Sequence, residues 1–241
     1  MTGDLKMHPL FITIANIHSS IHMKAMSHAW ACIRYIPTLE FLTHSDFHSV
    51  LEAHLWHHCL DIICSGLKVA VSIGMFMADP NNCSQYTFMS LAAYTADLPE
   101  QQMIACITKN ASPVTTAELD QFGDGVRYPP CEGTMTLQIL YDLCASGLDP
   151  WHLQEFLAAA KAAHLNGVQL PFWQDWQFSD PSIFLVGEIL HSLIKFFFNH
   201  VFKWCKELLG ADKIDTCYCT QHKRVGVHHF KKVSHVKQMT G

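Results

Sequence analysis

From Asp46 to Gly66 the apolar residues Phe47, Leu51, Leu55, Leu60 and Ile63 fall on or near one stripe at helical spacing, which predicts a helix. Thr134 is placed to cap a second helical run, with Leu137, Leu140 and Tyr141 on one face and Gly147 at its end. Asp149 and Pro150 read as the N-cap and first residue of a third, lined by Leu153, Phe156, Leu157 and Ala160 and ended by Asn166 and Gly167. A fourth is predicted over Ile189–Leu209, where Leu190, Ile194, Phe197, Val201, Trp204 and Leu208 recur and Gly210 closes the run. Two blocks read as strands instead. His8–Asn16 is β-rich, and Tyr86–Ala96 is apolar enough for a core strand that Asp97-Leu98-Pro99-Glu100 breaks. The pattern is that of an α/β (α+β) chain forming a single region. Residues 1–105 form a sheet with one helix, 106–170 a loop and helical insertion, and 171–241 an aromatic, acidic helix with a basic segment.

Composition supports a buried interior rather than a disordered segment, with 49% hydrophobic and 15% charged residues. The formal net charge of −5 gives no general pull toward nucleic acid. Near the end of the chain, however, Lys223, Arg224, Lys231, Lys232 and Lys237 gather with few acids, either as a solvated tail or as phosphate ligands. The ten Cys follow no disulfide framework, so reduced thiols in an intracellular protein are expected. No membrane association is expected. The N-terminus lacks a signal pattern, and Asp61 and Lys68 interrupt the most apolar window, Leu60–Ala78, leaving far fewer than the roughly 20 residues of a span.

Candidate chemistry concentrates in Pro171–Cys205, where Asp175, Asp180, Glu188, His191, Lys195 and His200 stand among Trp and Phe. On a helix, Glu188 and His191 would share a face and could share a divalent metal or a proton. A carboxylate at a helix N-terminus beside a half-buried His is the alternative. Asp97, at the end of a predicted core strand, is where a two-cation nuclease presents a carboxylate. Asp79 is the runner-up metal ligand, though MADPNN equally reads as a turn held by an Asx hydrogen bond. His54 and His58 at four-residue spacing, and Cys217, Cys219, His222, His228 and His229 further on, offer zinc-type ligands without a complete motif.

The run PFWQDWQFSDPSIFLVGEILHSLIKFFFNHVFKWC, then His229-Phe230-Lys231 and Lys237-Gln238-Met239-Thr240-Gly241, resembles blocks of the Plavaka transposases, fungal relatives of the CACTA/En-Spm group. The stretches TG…HPLFITIANI and AAYTADLPEQQMIAC resemble two further blocks of that family. The resemblance implies an RNase-H-like core and a metal-dependent DDE transposase that acts on DNA in the nucleus with Mg²⁺ or Mn²⁺. It makes Asp97 the second catalytic acid and Glu188 with His191 the family's acid-x-x-His element. Lys231, Lys232 and His229 become candidate ligands of DNA phosphate. The first acid is expected before Met1 and the last beyond Gly241, so the expected function is a truncated transposase remnant that does not cut or join DNA alone. A non-catalytic DNA- or protein-binding fragment retained by its host, and a zinc-binding module, are the alternatives. Where many relatives carry a Cys-Pro-x-Cys pair, Ser112-Pro113-Val114-Thr115-Thr116 stands here, which removes a zinc site at that place.

Overall fold

A computed structural model describes residues 6–149, 151–188, 190–222, 225 and 232–234. The chain divides into two compact units, Met1–Val186 and Gly187–Gly241. The boundary falls inside the 171–241 part, so the Pro171–Val186 portion of the aromatic stretch belongs to the first unit.

The first unit begins with β1 (Met7–Ile12), the single-turn α1 (Ser19–His22) and β2 (Ala31–Pro37). β1 and β2 pair antiparallel from Met7↔Pro37 to Ile12↔Ala31, with an irregularity between Leu10 and Phe11. Helix α2 (Ser45–Ile73) then runs seven residues past the predicted Gly66. Among its described residues those buried are Val50, Ala53, His57, Leu60, Cys64, Lys68, Ala70 and Val71, all but Ala70 spaced by threes and fours. That ladder corrects the expected stripe. Leu51, Leu55 and Ile63 are only half-buried, because a histidine rather than a leucine occupies the inward position between Ala53 and Leu60. Gly74, at φ +75°, ends the helix, and a Cβ there would meet the Tyr86 ring at 2.3 Å.

The predicted strand Tyr86–Ala96 is two pieces. β3 (Met75–Ala78) and β4 (Ser84–Thr87) form an antiparallel hairpin, while β5 (Tyr94–Ala96) is separate and pairs with β6 (Leu185–Gly187). The residues between, Phe88–Ala93, form no strand. Helix α3 (Leu98–Ile104) follows β5 at once. The insertion supplies α4 (Gly133–Ala145) and α5 (Leu153–Ala162), and α6 (Pro181–Phe184) leads into β6. The N-cap of α4 is Glu132 rather than Thr134 and that of α5 is His152. Pro150 lies outside the described residues. The chain is therefore α+β, with the strands among the described residues in three two-stranded sheets. One cluster forms the core of this unit, joining Leu60 and Cys64 of α2, Ile104 of α3, Phe156 and Ala160 of α5, and Phe172, Trp173, Trp176 and Phe184.

In the second unit, π-type helical turns over Leu190–Lys195 and Phe197–Phe202 continue into α7 (Lys203–Leu209), which ends at Gly210 as its spacing predicts. α8 (Ala211–Cys219) follows. Phe202, Ile214 and Val233 form this unit's own small core, with Phe198 and Tyr218 packed on it.

Candidate functional site

Asp97 directly follows β5 and is the N-cap of α3: its Oδ1 accepts from the Glu100 backbone N–H at 3.0 Å, with Pro99 in the first turn. Its Oδ2 accepts no hydrogen bond among the described residues. Glu100, one turn on, accepts from the Tyr94 hydroxyl at 2.7 Å. Burial pushes the Glu100 carboxyl above its ordinary range and the Asp97 charge adds to this, while the Tyr94 hydrogen bond works the other way. Burial also raises the Tyr94 phenol, as does the neighbouring Glu100 charge. The corner thus holds two carboxylates, one biased toward its protonated form. A two-cation phosphoryl-transfer site takes several ionised oxygens at rigid positions, and this pair falls short of such a cage. Among the described residues no three His, Cys, Asp or Glu come close enough to hold a metal ion.

Asp79 is in the turn that the MADPNN sequence offered as its alternative. Its Oδ1 accepts from the backbone of Asn81 at 2.9 Å and of Cys83 at 2.8 Å, and its Oδ2 from the Gln85 amide at 3.1 Å. It closes the β3–β4 hairpin.

Glu188 is half-buried, follows β6 and precedes the first described helical residue, Leu190. His191 is within the first described helical turns. Both belong to the second unit. Of the phosphate candidates Lys232 is exposed, while His229 and Lys231 lie outside the described residues.

The aromatic–acidic run has a structural job that can be followed residue by residue. Phe172 and Trp173 are each 2% exposed. The Phe172 N–H donates to His57 Nδ1 at 3.1 Å, and the Trp173 indole donates to the Ile104 carbonyl at 2.7 Å. Asp175 accepts from Lys68 of α2, which donates also to Asp61. Burial pulls the Lys68 ammonium down, yet the hydrogen bonds to Asp175 and Asp61 outweigh it and hold its pKa above the ordinary value. Asp180 caps α6 through Ser182 N at 2.9 Å and also accepts from Gly133 N at 2.8 Å, tying α6 to the start of α4. Gly133 is required there, since a Cβ would meet Trp173 at 2.8 Å and Pro181 at 2.9 Å.

His57 carries the joint between α2, the end of α3 and Pro171–Trp173. With Nδ1 accepting from Phe172, its Nε2 donates to the Met103 carbonyl at 3.1 Å. Burial, with a smaller push from His54, lowers its pKa to about 4 against the raising effect of the Met103 bond. His54 turns toward the Gly167 carbonyl at 3.1 Å while His58 is exposed, so the pair singled out for zinc faces two ways. Cys217 and Cys219 are exposed.

A model of the Plavaka transposase family matches residues 1–205. The chain belongs to the Plavaka transposase family. The match takes in β1, the Asp97 corner and the aromatic run as far as Cys205, and leaves residues 206–241 outside. Searches of curated proteins and of solved structures return no match. No helix among the described residues is long and apolar enough to cross a membrane.

Proposed function

We propose that this Plavaka family chain is a transposase-derived protein that binds DNA but, by itself, neither cuts nor joins it. The observation that carries the reading is the occupation of its acids. Asp97 caps α3, Asp79 closes a hairpin, Asp175 holds a buried lysine, and Asp180 caps α6 while receiving Gly133. A carboxylate oxygen engaged in this way is already taken up by the fold, whereas a two-cation nuclease needs oxygens left over for the ions. On this reading Asp97 Oδ2 is the oxygen an Mg²⁺ or Mn²⁺ ion would take, without productive chemistry in the chain alone. An RNase-H-like ancestry for the strand-bearing part rests on the family match, as do action on chromosomal DNA and a nuclear location.

Fluorescence anisotropy of the purified chain with a labelled duplex of the transposon's terminal repeat is the test. Micromolar or tighter binding that weakens with salt is expected. No change in anisotropy at low salt contradicts the reading.

A further inference from the structure

The charges divide with the units. Gly187–Gly241 holds nine Lys and Arg against four Asp and Glu, whereas Met1–Val186 holds seven against seventeen. The overall acidic balance conceals a basic unit of 55 residues at net +5. A chain whose sum repels DNA therefore carries a net positive charge in one small body.

That body displays rings as well as charge. Phe198 and Phe202 stack at 5.5 Å on the inward side of the helical segment, against the Ile214 and Val233 core. The opposite side carries a second series at four-residue steps. Phe196 and His200 lie 5.0 Å apart, and His200 and Trp204 lie 5.9 Å apart. Phe196 and Trp204 stay half exposed, at 50% and 53%. Lys195 and Lys203, both exposed, stand one residue before Phe196 and Trp204, about two turns from one another. A purely solvated helix face has no use for a ladder of exposed rings, and a face meant for apolar protein would not interleave it with ammonium groups. Cations beside aromatic faces are the elements of a surface that neutralises phosphates and stacks on bases or sugars.

The same unit fixes Lys232. Asp215 of α8 accepts from Val233 N at 2.9 Å, Ser234 N at 3.0 Å and the Ser234 hydroxyl at 2.7 Å, and Lys206 donates to the Ser234 carbonyl at 2.5 Å. The backbone that presents Lys232 is thereby pinned to α7 and α8.

We infer that the DNA-contacting surface of this protein is the outer face of the Leu190–Leu209 helical segment, with Lys195 and Lys203 on phosphates and the Phe196–His200–Trp204 ladder against bases or sugars. This deepens the DNA-binding reading and rests on it. The candidate phosphate ligands Lys231, Lys232 and His229 would be secondary to it.

The test compares duplex and single-stranded DNA binding of the full chain with that of Lys195→Gln/Lys203→Gln and of Trp204→Ala, across a salt series. The lysine pair variant should lose about tenfold or more in affinity, and its log–log salt slope should flatten by about 2, since each phosphate contact contributes close to 0.9. Lys195→Arg/Lys203→Arg should restore both, which separates charge from a folding defect. Trp204→Ala should weaken single strands more than duplex. Equal binding and slope in wild type and the Gln pair would overturn this surface while leaving DNA binding intact. Absence of binding by the wild type would overturn the underlying reading and the surface with it. A self-association that Trp204→Ala abolishes, with DNA affinity unchanged, would give the face to a second copy instead.

Discussion

Two nitrogens fix the state of His57, one accepting from Phe172 N–H and the other donating to the Met103 carbonyl, and protonation would turn the acceptor into a second donor facing an N–H. Its folded pKa of about 4 lies below the unfolded value of about 6.5, so the neutral form is the one the fold stabilises. The stability it contributes is therefore fully present above about pH 6.5 and is lost as the pH falls toward 4, an effect of order 3 kcal/mol. Urea unfolding midpoints measured between pH 7.5 and 4 should decline over that window. His57→Leu should flatten the decline while lowering stability at neutral pH, and identical pH slopes in both proteins would contradict the assignment. Asp97 allows a different distinction. If its work is to cap α3, Asp97→Asn should leave thermal stability nearly unchanged and Asp97→Ala should cost about 1 kcal/mol. Both residues show how far the sequence could be read. Asp97 at a strand end was visible, as was the Pro99-Glu100 that follows it. His57 was passed over among neighbouring histidines, although it falls at a three- or four-residue step from Ala53 and Leu60. A histidine on the apolar stripe was the signal.

Between elements, the clamp of α2 on the aromatic run depends on one ammonium shared by two carboxylates. Asp61 is half-exposed and Asp175 exposed, whereas Lys68 is buried. Removing either acid leaves Lys68 one partner, so Asp61→Asn or Asp175→Asn alone should cost under about 1 kcal/mol. Removing both strands a buried cation, and the double variant should cost about 3 kcal/mol. A double-mutant cycle by chemical denaturation reads the coupling, and additive single effects would mean that the two acids do not share the ammonium. In the sequence, Asp61 and Lys68 were charges interrupting an apolar window, and Asp175 was a candidate for chemistry. Their meeting depends on contacts more than 100 residues apart, which no local period encodes. Asp180-Pro181, by contrast, carries the same N-cap signature that was read at Asp149-Pro150, and there it does cap a helix. Helices α2, α4, α5 and the Leu190–Leu209 segment were legible from periodicity, whereas the shorter α3 and α8 were not read. The split of Tyr86–Ala96 into β4 and β5 was not, because an apolar run satisfies a strand pattern whether or not the backbone pairs throughout.

At the scale of the whole molecule, family membership and charge partition bear on function more than any single acid. The PFWQDW run, at the head of the aromatic stretch, is the seam on which the first unit's core closes. The basic unit then supplies the positive charge that the overall −5 hides. A nicking assay separates binding from cutting. Supercoiled plasmid carrying the terminal repeat is incubated with the purified chain and Mg²⁺ or Mn²⁺, beside Asp97→Asn. Plasmid should stay supercoiled with either protein. Nicked or linear DNA produced by the wild type and absent with Asp97→Asn would contradict it.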